Sequence, residues 1–341
     1  MVSDEEMVVA LQRGIPLSAR PFEALSRELG CTEDDLLTCL ARLREGNTVR
    51  RFGAVFDTRR LGYRSALCAV AVPGDELDEM AARLTPLTGV THCYVREPSH
   101  PSSPSQPSHP SQPSHPSQPS LPSLWFTLSY PADVFPAMAD EVATRLKPHA
   151  VHVLPATKRY KVDVVFGAAT RSREEQVEDD LPPVTARERS VIGALQGDTE
   201  VRADYFAAIA ERLGMKEWDL LSTLEIWRRK GRLKRIGLLL HHRNAGWAAN
   251  GMCCWKVAGV TTEVGRALAS RGEVTHCYER PEAPNFPYNL FAMVHARTIE
   301  DAQAQFAALV EEVARVTTVE VPSVMLLSTK EYKKTSMTFF A

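Results

Sequence analysis

The chain has 341 residues, 44% of them hydrophobic, and a formal net charge of -2. That length predicts two or three domains, each able to bury a core, and a near-neutral charge gives no reason to expect strong attraction to nucleic acid. No apolar run reaches the roughly 18 residues of a membrane-spanning helix, and the acidic start Met1-Val2-Ser3-Asp4-Glu5-Glu6 lacks the apolar core of a secretory signal. Seven cysteines, including Cys31, Cys39, Cys68 and the adjacent Cys253-Cys254, show neither disulfide-framework nor zinc spacing. They are expected to be small buried hydrophobes in a reducing cytoplasm, with no metal site.

From the N-terminus, Val8-Val9-Ala10-Leu11 begins a helix. Phe22, Leu25 and Leu29 form a second apolar stripe, and Leu36, Leu37, Leu40 and Leu43 a third, all at helical spacing. Gly30-Cys31-Thr32 separates the last two. Thr32 is the expected N-cap, with Asp35 three residues on. Three helices followed by a short strand from Val49 to Phe56 predict a winged helix-turn-helix over residues 1–60. A strand at Ala66–Val72, a helix at Glu76–Leu84, a strand through Val90-Thr91-His92-Cys93-Tyr94-Val95-Arg96, a strand at Trp125–Tyr130, a helix at Val134–Leu146 and strands at Val151–Leu154 and Tyr160–Phe166 follow. That order is the ferredoxin-like β-α-β-β-α-β arrangement, over residues 61–170.

Residues 98–122 interrupt this domain with a tract of Pro, Ser, Gln and His. Arg96 to Phe126 spans 30 positions where Arg280 to Phe291 spans 11, an insertion of 19. Such a tract cannot pack, so deleting Ser99 to Ser120 is expected to leave stability and activity nearly unchanged. His100, His109 and His115 within it read as loop expansion rather than a metal site. Residues 171–183 are a charged linker closing on Pro182-Pro183.

The chain then repeats. Val274-Thr275-His276-Cys277-Tyr278-Glu279-Arg280 matches the His92 strand at an offset of 184, which also lays Phe22 on Phe206, Arg51 on Arg235, Gly53 on Gly237 and Gly62-Tyr63 on Gly246-Trp247. Residues 184–244 are thus a second winged helix-turn-helix and 245–341 a second ferredoxin-like domain. The latter's elements are expected at Met252–Val257, Thr262–Ala269, Leu290–His295, Glu300–Val313, Thr318–Pro322 and Tyr332–Phe340. The fold class is α+β, two tandem copies packed as a pseudo-two-fold pair through their sheets. Along each motif strand, alternation puts His, Tyr and Arg on one face, a row suited to an anionic planar ligand.

A helix-turn-helix followed by a ferredoxin-like domain resembles the Lrp/AsnC regulators, which keeps a ligand-sensing, DNA-binding regulator (for haem or an amino acid) as an alternative reading. The recognition helices would begin Glu33-Asp34-Asp35 and Glu217-Trp218-Asp219, whose carboxylates repel phosphate, so no specific DNA binding is expected. The basic run Arg228, Arg229, Arg232, Lys234 and Arg235 reads as a solvated wing. Arg50-Arg51-Phe52-Gly53-Ala54-Val55, the two His-Cys-Tyr-x-Arg strands, Pro281 through Phe291 and Lys330-Glu331-Tyr332-Lys333-Lys334-Thr335-Ser336-Met337 more specifically resemble the siroheme decarboxylases, in a form fusing two subunits. The first copy departs from that pattern in carrying the Pro/Ser tract.

That resemblance implies loss of carbon dioxide from two acetate side chains of siroheme, giving 12,18-didecarboxysiroheme in haem or haem d1 biosynthesis. No added organic cofactor is implied, since the iron belongs to the substrate. A ring bearing many carboxylates needs cationic grips, for which Arg51, Arg96, Arg235, Arg280, Lys330 and Lys333 are candidates. The methylene left behind needs a proton, for which His276 and His92 are the candidate acids, supported by Tyr278 and Tyr94. His241 and His242 stand where the first copy has Asp57 and Thr58. Tyr288 and Asn289 are expected to wall the His276 half, which should therefore be the better-formed pocket. A pseudo-dimer within one chain, with a further homodimer open, completes the expectation.

Overall fold

The computed structural model describes residues 2–99, 121–162, 165–167, 182–241 and 244–340. The insertion's 100–120, with His100, His109 and His115, the linker's 171–181, and His242 lie outside them.

Helices α1 (Asp4–Arg13), α2 (Pro21–Leu29) and α3 (Glu33–Glu45) lead into strand β1 (Val49–Phe56). Thr32 caps α3 as its sequence predicts, in a reciprocal box with Asp35. After a short 3-10 turn at Thr58–Leu61 come β2 (Tyr63–Val70), α4 (Leu77–Leu84), β3 (Val90–Pro98), β4 (Leu124–Pro131), α5 (Phe135–Arg145), β5 (Val151–Pro155) and β6 (Lys158–Val162). The second copy supplies α6 (Ala186–Gln196), α7 (Tyr205–Arg212), α8 (Glu217–Arg229), β7 (Leu233–Leu240), β8 (Ala249–Trp255), α9 (Thr261–Ser270), β9 (Val274–Glu279), β10 (Leu290–Ala296), α10 (Ile299–Thr317) and β11 (Ser323–Lys334).

The copies are interlaced. Wings β1 and β7 pair antiparallel with Gly53 opposite Gly237, so a pseudo-dyad passes between two equivalent glycines. A Cβ on Gly53 would lie 2.4 Å from the Gly197 carbonyl oxygen, and one on Gly237 2.4 Å from that of Leu11. Each glycine thus admits the carboxyl end of the other copy's first helix. One hydrophobic core, with Phe22, Phe52, Leu11, Leu195, Tyr205 and Phe206, accordingly unites both helix-turn-helix units.

The remaining strands form a single nine-stranded sheet in the order β5-β2-β4-β3-β11-β8-β10-β9-β6. Strand β6 of the first copy pairs with β9 of the second, and the far end of β11 pairs with β3 of the first. The two strands expected at Thr318–Pro322 and Tyr332–Phe340 are instead one. Helix α10, rich in Ala, Glu and Val, continues to Thr317, and Thr318 ends it in the left-handed region. Phe339 instead folds back against Tyr63 at 5.2 Å and enters the helix-turn-helix core. The strand expected at Tyr160–Phe166 corresponds to β6, Lys158–Val162, and Phe166 lies in a turn. Helices cover one face of each half-sheet. On the other face Ala69, Trp125 and Leu154 of the first copy meet Met252, Cys254, Phe291 and Leu326 of the second, an internal apolar layer between the halves.

Candidate functional site

Both His-x-Tyr-x-Arg rows lie on this inner face. Tyr94 stands opposite Trp125 in the β3–β4 ladder and Tyr278 opposite Phe291 in the β9–β10 ladder, and directly opposed residues share a face. Alternation turns Cys93 and Cys277 to the helix-covered side, where burial pushes Cys93 up to about 12 and raises Cys277 further. The seven cysteines are free thiols, six of them buried, as their scatter predicts.

Within each row the rings run together. His92 and Tyr94 centroids are 6.1 Å apart, and those of His276 and Tyr278 6.0 Å. Arg96 lies 5.5 Å over Tyr94, and Arg280 4.8 Å over Tyr278. Each arginine also donates across the pseudo-dyad, Arg96 to the Leu326 carbonyl and Arg280 to that of Leu154. These carbonyls are equivalent at an offset of 172 in the exchanged strands (326 less 154), so the two arginines are stacked and braced alike.

The imidazoles are anchored through Nδ1. His92 Nδ1 lies 2.9 Å from Thr91 Oγ1, and His276 Nδ1 3.1 Å from Thr275 Oγ1. Thr275 donates its hydroxyl to the Met293 carbonyl. The same hydroxyl lies 3.2 Å from His295 Nδ1, so it braces a second imidazole beside His276. Burial pushes His92 down to about 3, assisted by Arg50, Lys334, His276 and Arg96. Burial, with Arg159, Lys234 and Arg280, pushes His276 down to about 4. Both rings are neutral at pH 7.

Each wing strand begins beside its own copy's row and ends beside the other copy's. Arg50 of β1 acts on His92, while its equivalent Lys234 of β7 acts on His276. At the strand exits, Asp57 N–H bonds the Arg232 carbonyl and His241 N–H bonds that of Thr48, an equivalent pair of hydrogen bonds. Yet the two side chains serve opposite halves from those their sequence alignment implies. Asp57 is 1% exposed and pairs with Arg159 at 3.1 Å, Arg59 at 3.5 Å and Lys234 at 3.8 Å. Arg159 in turn lies over the Tyr278 ring at 5.9 Å. His241 lies in the field of Arg50, Lys334 and Glu331, at the His92 end, and burial lowers its pKa. The Asp57 carboxylate of the first copy therefore sits in the second half's site.

Arg51 points away from the rows, donating to Ser336 Oγ at 2.9 Å and the Ala54 carbonyl. Burial pushes it down to about 10. Its equivalent Arg235 occupies the matching position on β7, opposite Val55. Lys330 pairs with Asp78 on α4, and Lys333 donates to the Thr85 and Leu87 carbonyls at 2.7 and 2.9 Å. Asn289 braces both backbone groups of Val257, at 2.9 and 2.7 Å. Tyr288 packs on Phe286, which packs on Trp125 at 5.1 Å, so this loop closes the inner layer. Arg50, Arg159, Glu331 and Lys334 flank the rows but were not site candidates from the sequence, and Lys234, expected on a solvated wing, is instead largely buried beside Asp57. Arg50 adjoins Arg51, and the strand's two-residue alternation was the signal available. Buried Nε atoms of Arg50, Arg159 and Arg280 have no hydrogen-bond partner, which fits a site that grips carboxylates.

Fold and site together define a tandem protein of the AsnC-like class, with the faces that carry the paired rows turned toward one another between the copies. A family model for the AsnC-like ligand binding domain matches residues 60–161 and 244–333, and one for the siroheme decarboxylase NirDL-like HTH domain matches residues 4–50. The siroheme decarboxylase of Hydrogenobacter thermophilus is 32% identical over 99% of this chain and 95% of its own. The siroheme decarboxylase beta subunit of Desulfovibrio desulfuricans is 34% identical over 45% of this chain and 94% of its own. The crystal structure of siroheme decarboxylase NirDL in co-complex with an iron-uroporphyrin III analogue matches with a TM-score of 0.69 at 28% identity, covering 99% of this chain and 95% of that one. The chain belongs to the siroheme decarboxylase family.

Proposed function

We propose that this chain removes carbon dioxide from two acetate side chains of siroheme, giving 12,18-didecarboxysiroheme, with no organic cofactor. The observation that carries the proposal is the paired His-x-Tyr-x-Arg rows on one enclosed face, fringed by guanidinium groups of Arg50, Arg159 and Arg280 whose buried Nε atoms lack hydrogen-bond partners. In each half-reaction the bond between the acetate methylene and its carboxylate breaks. The electron pair passes into the macrocycle, carbon dioxide leaves, and a proton delivered to the methylene makes a methyl group. Arg50, Arg96, Arg159 and Arg280 hold the carboxylates that stay, with Tyr94 and Tyr278 supporting the ring edge. His92 and His276 deliver protons, and His241 lies at the His92 end as a further donor.

Substrate charge makes that delivery workable. The bare site holds both imidazoles neutral because they are buried among cations. Carboxylates of a bound ring reverse the sign of the local field and raise both pKa values, so binding is expected to take up protons. The test is anaerobic incubation of the purified chain with siroheme, followed by mass analysis of the tetrapyrrole. Loss of two carbon dioxide masses supports the proposal, and an unchanged mass overturns it.

A further inference from the structure

The two halves carry equivalent frames but opposite contents. Arg50 and Lys234 are equivalent, as are Glu331 and Arg159 in the exchanged strands and His241 and Asp57 at the wing exits. At the His92 end the Nε of Arg50 is buried with no hydrogen-bond partner. At the His276 end the cations converge on one buried carboxylate, with Arg159 Nη1 and Lys234 Nζ on Asp57 Oδ2, and Arg59 Nε and the Arg59 backbone N–H on Oδ1. A buried carboxylate among three cations has the coordination that an acidic substrate group would receive there.

We infer that Asp57 is a resident stand-in for a substrate carboxylate. It fills the anion position of the second half, so that acidic side chains of the ligand are drawn to the His92 end. The inference rests on the proposed substrate class in one respect, that the ligand is a polycarboxylate. It makes the halves unequal by one buried counter-ion, since the carboxylate at the His92 end, Glu331, is exposed, without change to the His-x-Tyr-x-Arg row itself.

The experiment replaces Asp57 by Ala and, to keep the side chain's shape, by Asn. Thermal unfolding of each variant is compared in sodium chloride and in sodium formate at equal ionic strength. Formate is expected to stabilise Asp57→Ala well beyond chloride, because the small carboxylate re-enters the vacated position, and to do nothing comparable for the wild type. Iron-uroporphyrin III titration should show Asp57→Asn binding more tightly than wild type or taking a second equivalent. Formate acting no better than chloride, or Asp57→Asn binding the porphyrin with wild-type affinity and stoichiometry, overturns the inference. Should the wild type bind no iron-uroporphyrin III at all, the polycarboxylate reading falls. The formate comparison then decides the role of Asp57 alone.

Discussion

His92 and His276 are held neutral by their surroundings, and this has a consequence for stability. An unfolded histidine accepts its proton near pH 6.5, whereas the folded chain refuses one at His92 until about pH 3 and at His276 until about pH 4. Between those limits the unfolded state binds more protons, so stability must fall as pH is lowered from about 6.5 toward 4. Replacing both histidines by Gln should flatten that acid slope in denaturant titrations run across the window. An unchanged slope would show that the imidazoles titrate normally. The same low values predict proton uptake on ligand binding, readable as a dependence of the calorimetric heat on the buffer's ionisation enthalpy.

At the scale of elements, the crossed wing pair is the device that builds the site. Gly53 and Gly237 sit at its centre under backbone carbonyls that cannot move aside as a side chain can. Gly53→Ala and Gly237→Ala should each cost about 1–3 kcal/mol of stability, as overpacking does, read from urea midpoints. Near-zero costs would mean that the helices do not pass so close. The recognition helices give a second expectation. Glu33 is tied to Arg20 at 2.7 Å and Asp35 to the Thr32 cap, so the first turn of α3 presents engaged carboxylates rather than base-reading donors. Neither helix-turn-helix should retard duplex DNA with sequence preference, and a tight salt-sensitive shift on a promoter fragment would contradict this.

The repeat, the helices and the His-x-Tyr-x-Arg rows were legible because each depends on local pattern and a constant offset. The crossing was not. The offset pairs Asp57 with His241 but is silent on which row each faces, since that follows from β1 pairing with β7 far along the chain. Arg51 was favoured over Arg50 for the same reason, as one residue of register exchanges the two faces of a strand. The continuous β11 was hidden by Pro322, which reads as a break but stands just before the strand begins.

Across the whole molecule, neither half is complete alone. The second copy's β9 has its outer neighbour in β6 of the first, and β3 of the first has its neighbour in β11 of the second. Separately produced halves should therefore be poorly soluble and recover the native sheet only when mixed, in equal proportion. With Asp57 occupying the His276 end, we expect this pseudo-dimer to decarboxylate siroheme chiefly at its His92 end. Single-turnover mass analysis of siroheme with wild type, His92→Ala and His276→Ala side by side tests it most directly. Wild type should lose two carbon dioxide masses from siroheme, His92→Ala should be slower by about 10²–10⁴-fold, the usual size for a lost proton donor, and His276→Ala should be slowed less. A larger loss for His276→Ala, or no decarboxylation by the wild type, would contradict it.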